Sequence, residues 1–304
     1  MSFQTRLLSS NDTSIDPAID QDATQSNGLP DLLQFNGLDP QRYPFLLSST
    51  ATRENNTQYD ILLACPRYQL TLNADKTLNL SPDDSGACID ISTGFLDNLE
   101  RLYLAESEVG NQVDDRVSAT RRSYPDNLPF TGGWFVYLSY EMAEEIESCL
   151  SLPVPPVDQP RAVAVRCPAA IIIDKANGRC IAIAEDRYSS LLDTIEEDFD
   201  TINNLARLSA MQQHTDVLKK VSLASLYEAD PTPYLAQVDK IKRYIIDGDI
   251  FQANLSRPWR ATLAGDVEET DLLIKLSVIK PASFAAFSNM SAMSNIRSYP
   301  QRLV

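Results

Sequence analysis

The sequence predicts an α+β fold with largely antiparallel sheets. Three observations predict it. Short apolar strand patterns recur at hairpin spacing in the first half. An Asn177-Gly178 turn joins two strongly apolar runs, AVAVRCPAAIIID and RCIAIAE. Strands and helical stripes are mixed along the chain without strict strand–helix–strand alternation.

Taken in order, residues 1–40 are rich in Ser, Asp, Asn and Gln and predict a loose N-terminal arm. RYPFLLSST (Arg42–Thr50) is the first predicted strand. YDILLACP (Tyr59–Pro66), YQLTLNA (Tyr68–Ala74) and TLNLS (Thr77–Ser81) follow. In FLDNLERLYLAE the residues Phe95, Leu96, Leu99, Leu102 and Tyr103 form a helical stripe. Residues 106–128 are a polar loop, and WFVYLSY (Trp134–Tyr140) is a strand opened by Gly132-Gly133. PVPPVDQP (153–160) is a proline-stiffened connector. Residues 190–210 predict a helix, and the polar stretch 211–230 predicts a linker.

Beyond it, Asp230 or Thr232 caps a helix that has Pro233 at its first position. Tyr234, Val238, Ile241 and Ile245 share one face of that helix, and Gly248 ends it. Ile250–Ser256 alternates as a strand, Asp271–Ile279 reads as a helix, and Phe284–Ser288 as a strand. The domain division that follows is 1–40, 41–210, 211–230 and 231–304.

Composition narrows the function. The 304 residues carry 26 basic and 42 acidic side chains, a net charge of −16. No basic cluster tracks a phosphate backbone, which argues against nucleic acid. An anionic small substrate would need a locally basic pocket or a metal ion. The N-terminal MSFQTRLLSS lacks a signal peptide's apolar run, and no 18-residue apolar stretch occurs elsewhere. The expectation is a cytoplasmic protein with no membrane partner. The five cysteines (Cys65, Cys88, Cys149, Cys167, Cys180) include no C-x-x-C pair and read as reduced thiols in or near the core. The single histidine, His214, leaves Ser-His-Asp, Cys-His and multi-histidine metal chemistry almost without material.

Two segments carry the functional signal. PFTGGWFVYLSYE (Pro129–Glu141) sets two glycines before an aromatic strand, for a tight strand entry or a close backbone approach. GDIFQANLSR (Gly248–Arg257) puts Gln252, Asn254 and Ser256 on one face, to line a polar cavity or to form the wet face of a sheet. The acidic pairs Glu144-Glu145 and Glu196-Glu197 read as solvated helix faces.

With RYPFLLSST, these segments resemble the first component of the chorismate-utilising amination enzymes, the anthranilate synthase and aminodeoxychorismate synthase group. The likeness runs from Arg42 to Val304. GGW followed by YLSYE, and Asn254 after Gln252-Ala253, are similar to the aminodeoxychorismate synthase branch. The resemblance implies two packed β-sheets flanked by helices, incomplete at the C-terminus. It also implies Mg²⁺-dependent amination of chorismate at C4, with ammonia from a glutamine amidotransferase subunit, toward para-aminobenzoate and folate. Gln301 occupies a position where the family carries a glutamate, and an amide cannot pass a proton. The family's nucleophilic lysine and metal-binding glutamates fall beyond Val304. The resemblance therefore implies no catalytic residue, no metal ligand and no bound cofactor in this chain. It also implies a tryptophan pocket at Ser49, Asn56, Thr57, Gln58, Tyr59, Ser283, Phe284 and Ala285. Ser283 departs from the family's usual proline. The other readings are anthranilate synthase component I, and a non-catalytic truncated paralogue that binds tryptophan or the amidotransferase.

Overall fold

The computed structural model describes residues 2–10, 29–48, 59–82, 87–110, 128–153, 159–211, 221–265, 267–280, 282, 284–290 and 293–299. The chain forms two compact units. The first comprises Met1–His214 and Leu276–Val304, and the second Thr215–Lys275.

The first unit is built on two antiparallel sheets. The larger has seven strands: β1 (Phe3–Ser10), β2 (Phe45–Ser48), β3 (Tyr59–Ala64), β8 (Ala169–Asp174), β9 (Arg179–Glu185), β12 (Phe284–Asn289) and β13 (Ser294–Tyr299). Their spatial order is β1-β9-β8-β3-β2-β12-β13. The smaller sheet runs β5 (Leu78–Ser81), β4 (Gln69–Leu72), β7 (Ala162–Cys167), β6 (Gly133–Leu138). The sheets meet in a core of Phe45, Leu63, Ala170, Ile172 and Ile183 from one and Val163, Val165 and Cys167 from the other. The Phe45 and Phe135 rings stack across it, 3.9 Å apart and nearly parallel. Every residue of β7 and β8 is buried. Strands covered on both faces read as continuous apolar runs, and AVAVRC and AAIIID do so. Pro168 marks the point where the chain leaves one sheet for the other.

Helices cover the outer faces. α2 (Phe95–Gly110) lays Phe95 and Leu102 on Leu70, Leu72, Ala162 and Ala164 of the smaller sheet. Behind the larger sheet lie α1 (Leu33–Leu38) and α4 (Leu191–Met211). Phe35 of α1 sits edge-on to Tyr43, at 5.1 Å, and stacks on Phe199 of α4 at 6.3 Å.

Several expectations are corrected here. Within the predicted loose arm, Phe3–Ser10 is a strand and Leu33–Leu38 a helix. The strand closes an otherwise unpaired edge of β9, and Arg6 reaches Asp193 and Glu196 at 2.8 and 2.6 Å. Glu196 and Glu197 are exposed on their helix, as expected, and Glu196 also pairs with Arg6. Of the strands at hairpin spacing, β4 pairs with β5, while β3 joins the other sheet. Residues 276–304 return to the first unit, because β12 pairs with β2.

Glu144 and Glu145 also differ from the expected solvated face. They lie in the short helix α3 (Ala143–Ile146). Glu145 accepts a hydrogen bond from Leu96 N at 2.6 Å and so caps α2. Glu144 accepts from Leu152 N at 2.6 Å and pairs with Lys76 and Arg161, each at 3.0 Å. The Leu152 amide and Lys76 hold its carboxyl down at about 2, below the ordinary 4.5. A depressed folded-state pKa adds stability above the ordinary value and loses it as pH falls through the folded one. Thermal melts should therefore show Glu144→Gln less stable than the parent above pH 4.5, with the gap closing as pH falls toward 2. A gap unchanged at pH 2 would contradict this.

All five cysteines are free. Cys167 and Cys180 are buried, but Cys88 and Cys149 are exposed, against the expected core placement. Burial pushes the Cys65, Cys167 and Cys180 thiols up to about 12. A disulfide reagent near pH 8 should find two fast thiols in the native chain and all five in denaturant. Fast reaction of Cys167 or Cys180 would contradict the packing.

The second unit contains β10 (Ser222–Glu228), α5 (Pro231–Asp247), β11 (Trp259–Ala264) and the first turns of α6 (Glu269–Ile279). Ser222–Glu228 forms a strand inside the predicted linker, paired antiparallel with β11. Asp230 caps α5 by accepting from Thr232 N at 2.9 Å. Pro231, rather than Pro233, holds the first helical position. Gly248, at φ +83°, ends the helix in a conformation that favours glycine. The predicted strand at Ile250–Ser256 is irregular, with no ladder partner among the described residues, and Phe251 is fully exposed. The alternation in GDIFQANLSR therefore marks no sheet face in this structure. Among the described residues no helix is long and apolar enough to cross a membrane.

Candidate functional site

Three segments far apart in sequence meet at one end of the larger sheet. β2 lies between β3 and β12, and both pairings are antiparallel. The end of β2 therefore lies beside the starts of β3 and β12. Leu47 stands opposite Ile61, and Ser48 opposite Ala285. Tyr59 opens β3 and is half-buried, while Ala285 is buried.

The polar groups at this end are specific. Ser48 Oγ donates to Asp60 Oδ1 at 2.9 Å, and Lys175 Nζ lies 2.7 Å from the same oxygen. Asp31, before α1, has its carboxyl pKa raised, chiefly by burial and in smaller part by the charge of Asp60. Its Oδ1 accepts from Leu33 N at 3.0 Å. The end of the sheet thus carries two acids, one cation and a hydroxyl. Ser48 and Asp60 lie on the face of Leu46 and Leu62, whereas the Tyr59 ring packs with Ile61 on the inter-sheet core, the opposite face.

Of the residues expected to hold tryptophan, Tyr59 and Ala285 lie at this end but on opposite faces of the sheet, Tyr59 against the inter-sheet core and Ala285 beside Ser48. Phe284 is the first residue of β12, opposite Tyr299, and its side chain lies outside the described residues. Ser49, Asn56, Thr57, Gln58 and Ser283 also lie outside them, as does Gln301. Sequence reasoning missed Ser48, Asp60, Lys175 and Asp31. Asp60 carried a usable signal, as the only charge inside the apolar strand YDILLA. Asp31 and Lys175 carried none, because only the fold brings their loops to this end. Among the described residues no three His, Cys, Asp or Glu side chains group to hold a metal ion.

A second feature explains the glycines of PFTGGWF. Gly132 has φ +115°, and a Cβ built there would lie 2.2 Å from Glu185 Oε1 and 2.6 Å from its Cγ. Glu185 is buried and held by Arg166 Nη2 at 2.5 and 2.6 Å. Arg166 also donates Nη1–H to Gly133 O at 2.9 Å and Nε–H to Glu106 at 3.2 Å. Arg187 completes the network against Glu106 and Glu185. Burial disfavours the Arg166 charge, but Glu185 outweighs it and keeps its pKa above the ordinary arginine value. Both sequence readings of the glycine pair are therefore met at once: a tight entry to β6 and a close approach to a buried ion pair.

Two antiparallel sheets packed face to face, clad in helices and joined by a buried charge network, define an α+β scaffold like that of anthranilate synthase component I from Streptococcus pneumoniae. That structure superposes with a TM-score of 0.57 at 20% identity, over 83% of this chain and 52% of its own. Residues 48–304 match the chorismate binding enzyme family, and the chain belongs to that family. Its relatives include anthranilate synthase component 1 from Bacillus subtilis, 28% identical over 64% of this chain and 41% of the relative. Aminodeoxychorismate synthase component 1 from Klebsiella aerogenes is 23% identical over 89% of this chain and 53% of the relative. The chain thus spans about half or less of the length of these relatives.

Proposed function

We propose that this chain is the N-terminal part of an aminodeoxychorismate synthase component I. With a glutamine amidotransferase subunit and Mg²⁺, the whole protein would convert chorismate to 4-amino-4-deoxychorismate. The family match over residues 48–304 supports chorismate as substrate. Asn254 after Gln252-Ala253, similar to the aminodeoxychorismate synthase branch, carries the choice of branch. A metal would neutralise the substrate carboxylate and ease departure of its hydroxyl.

The test is complementation with the full reading frame around this sequence. Rescue of a para-aminobenzoate auxotroph, without rescue of a tryptophan auxotroph, is expected. The reverse would establish the second reading, anthranilate synthase component I, which the higher identity to the Bacillus subtilis relative favours. Rescue of neither would leave a non-catalytic paralogue.

The half-buried Tyr59 against the inter-sheet core, together with the resemblance, supports tryptophan as a ligand of the first unit. Calorimetric titration of the 304-residue chain should show saturable tryptophan binding, weakened at least about tenfold in Tyr59→Ala. Equal binding by both chains would remove that site.

A further inference from the structure

The first unit holds a cavity of about 540 Å³ outside the smaller sheet, away from the tryptophan end. It lies between the N-terminus of α2, the β4–β5 hairpin and the segment Glu141–Glu145. Its apolar wall includes Phe95 and Met142, both buried, and Ile91, which is 82% exposed at the rim. Five charged side chains line it, three acidic and two basic, so the lining is net negative.

The pairing within that lining decides what the cavity suits. Lys76 and Arg161 both pair with Glu144, which also accepts from Leu152 N. Glu145 accepts from Leu96 N. The remaining charge is Glu141, which is half-buried and whose carboxylate has no hydrogen bond or ion pair among the described residues. A carboxylate partly withdrawn from water gains from an opposite charge. The carboxylates do not group tightly enough to hold a metal ion. The volume is of ligand size, and the lining sets Leu72, Leu78, Ile91, Phe95 and Met142 in the same cavity as Glu141.

We propose that this cavity binds a small organic cation, an ammonium or guanidinium group on an apolar body, with Glu141 as counter-ion. The site is separate from the chorismate chemistry and does not depend on it.

Benzylamine, benzyl alcohol and benzoate share a ring and differ in charge, so they probe the claim directly. Each is titrated into the 304-residue chain by NMR, and into Glu141→Gln. Benzylamine should bind with a Kd on the order of 1 mM. Its binding should shift the amides of Ile91, Lys76 and Glu141. Benzyl alcohol should bind at least about fivefold more weakly and benzoate not measurably, while Glu141→Gln should lose about tenfold for benzylamine. Three outcomes would overturn the proposal: benzoate or benzyl alcohol matching benzylamine, unchanged affinity in Glu141→Gln, or no benzylamine saturation by about 20 mM. The ligand comparison needs no variant, so it decides the matter even if the substitution disturbs folding.

Discussion

Replacing Arg166 with leucine is expected to destabilise the first unit by about 3–5 kcal/mol. Arg166 is 1% exposed and satisfies both oxygens of Glu185, whose side chain is 3% exposed. Removing the guanidinium leaves a buried carboxylate without its main partner and a carbonyl, Gly133 O, without its donor. The cost comes from that stranded charge, not from the strength of the pair. The double variant Arg166→Leu/Glu185→Leu should therefore recover about 2 kcal/mol or more of the loss, since it removes both charges. Urea denaturation of the parent, both single variants and the double variant closes the cycle. Additive losses would show that the pair acts independently, contrary to the geometry.

Gly132→Ala is the second large effect, expected at about 3 kcal/mol. Two costs combine. A side chain at φ +115° is strained, and the new Cβ meets Glu185 Oε1 at 2.2 Å and Cγ at 2.6 Å. Glu185 cannot swing aside without leaving Arg166. The companion change Gly248→Ala separates the two costs. There the φ is +83° but nothing lies within 4 Å of the added Cβ. It should cost only the conformational part, about 1 kcal/mol. A Gly132→Ala loss no larger than that of Gly248→Ala would mean that Glu185 relaxes freely.

The sequence made the paired, doubly buried strands legible. β7, β8 and β9 announce themselves as apolar runs around Asn177-Gly178, because both of their faces are covered. α2 and α4 were legible from their stripes, since one face of each packs on a sheet. The strand β1 was not, because an edge strand gains its order from backbone bonds to β9, and FQTRLLSS has little apolar patterning. GDIFQANLSR misled in the other direction. Its alternation is a strand pattern, yet a strand needs a ladder partner, and none stands beside it among the described residues. At the candidate site, Tyr59 and Ala285 came from the resemblance. Asp31 and Lys175 are loop residues whose neighbourhood is set by tertiary contacts, so no local pattern could announce them. The charge network of Glu106, Arg166, Glu185 and Arg187 was equally silent in sequence. Only the glycine pair at Gly132-Gly133 hinted that something had to pass close by.

The proposed reaction of the whole protein is amination of chorismate at C4. The most direct measurement combines the full-length protein, a glutamine amidotransferase subunit, glutamine, Mg²⁺ and chorismate, and identifies the product by chromatography with mass spectrometry. The expected product is 4-amino-4-deoxychorismate, with its enolpyruvyl side chain retained, and no anthranilate. Anthranilate with released pyruvate would contradict it.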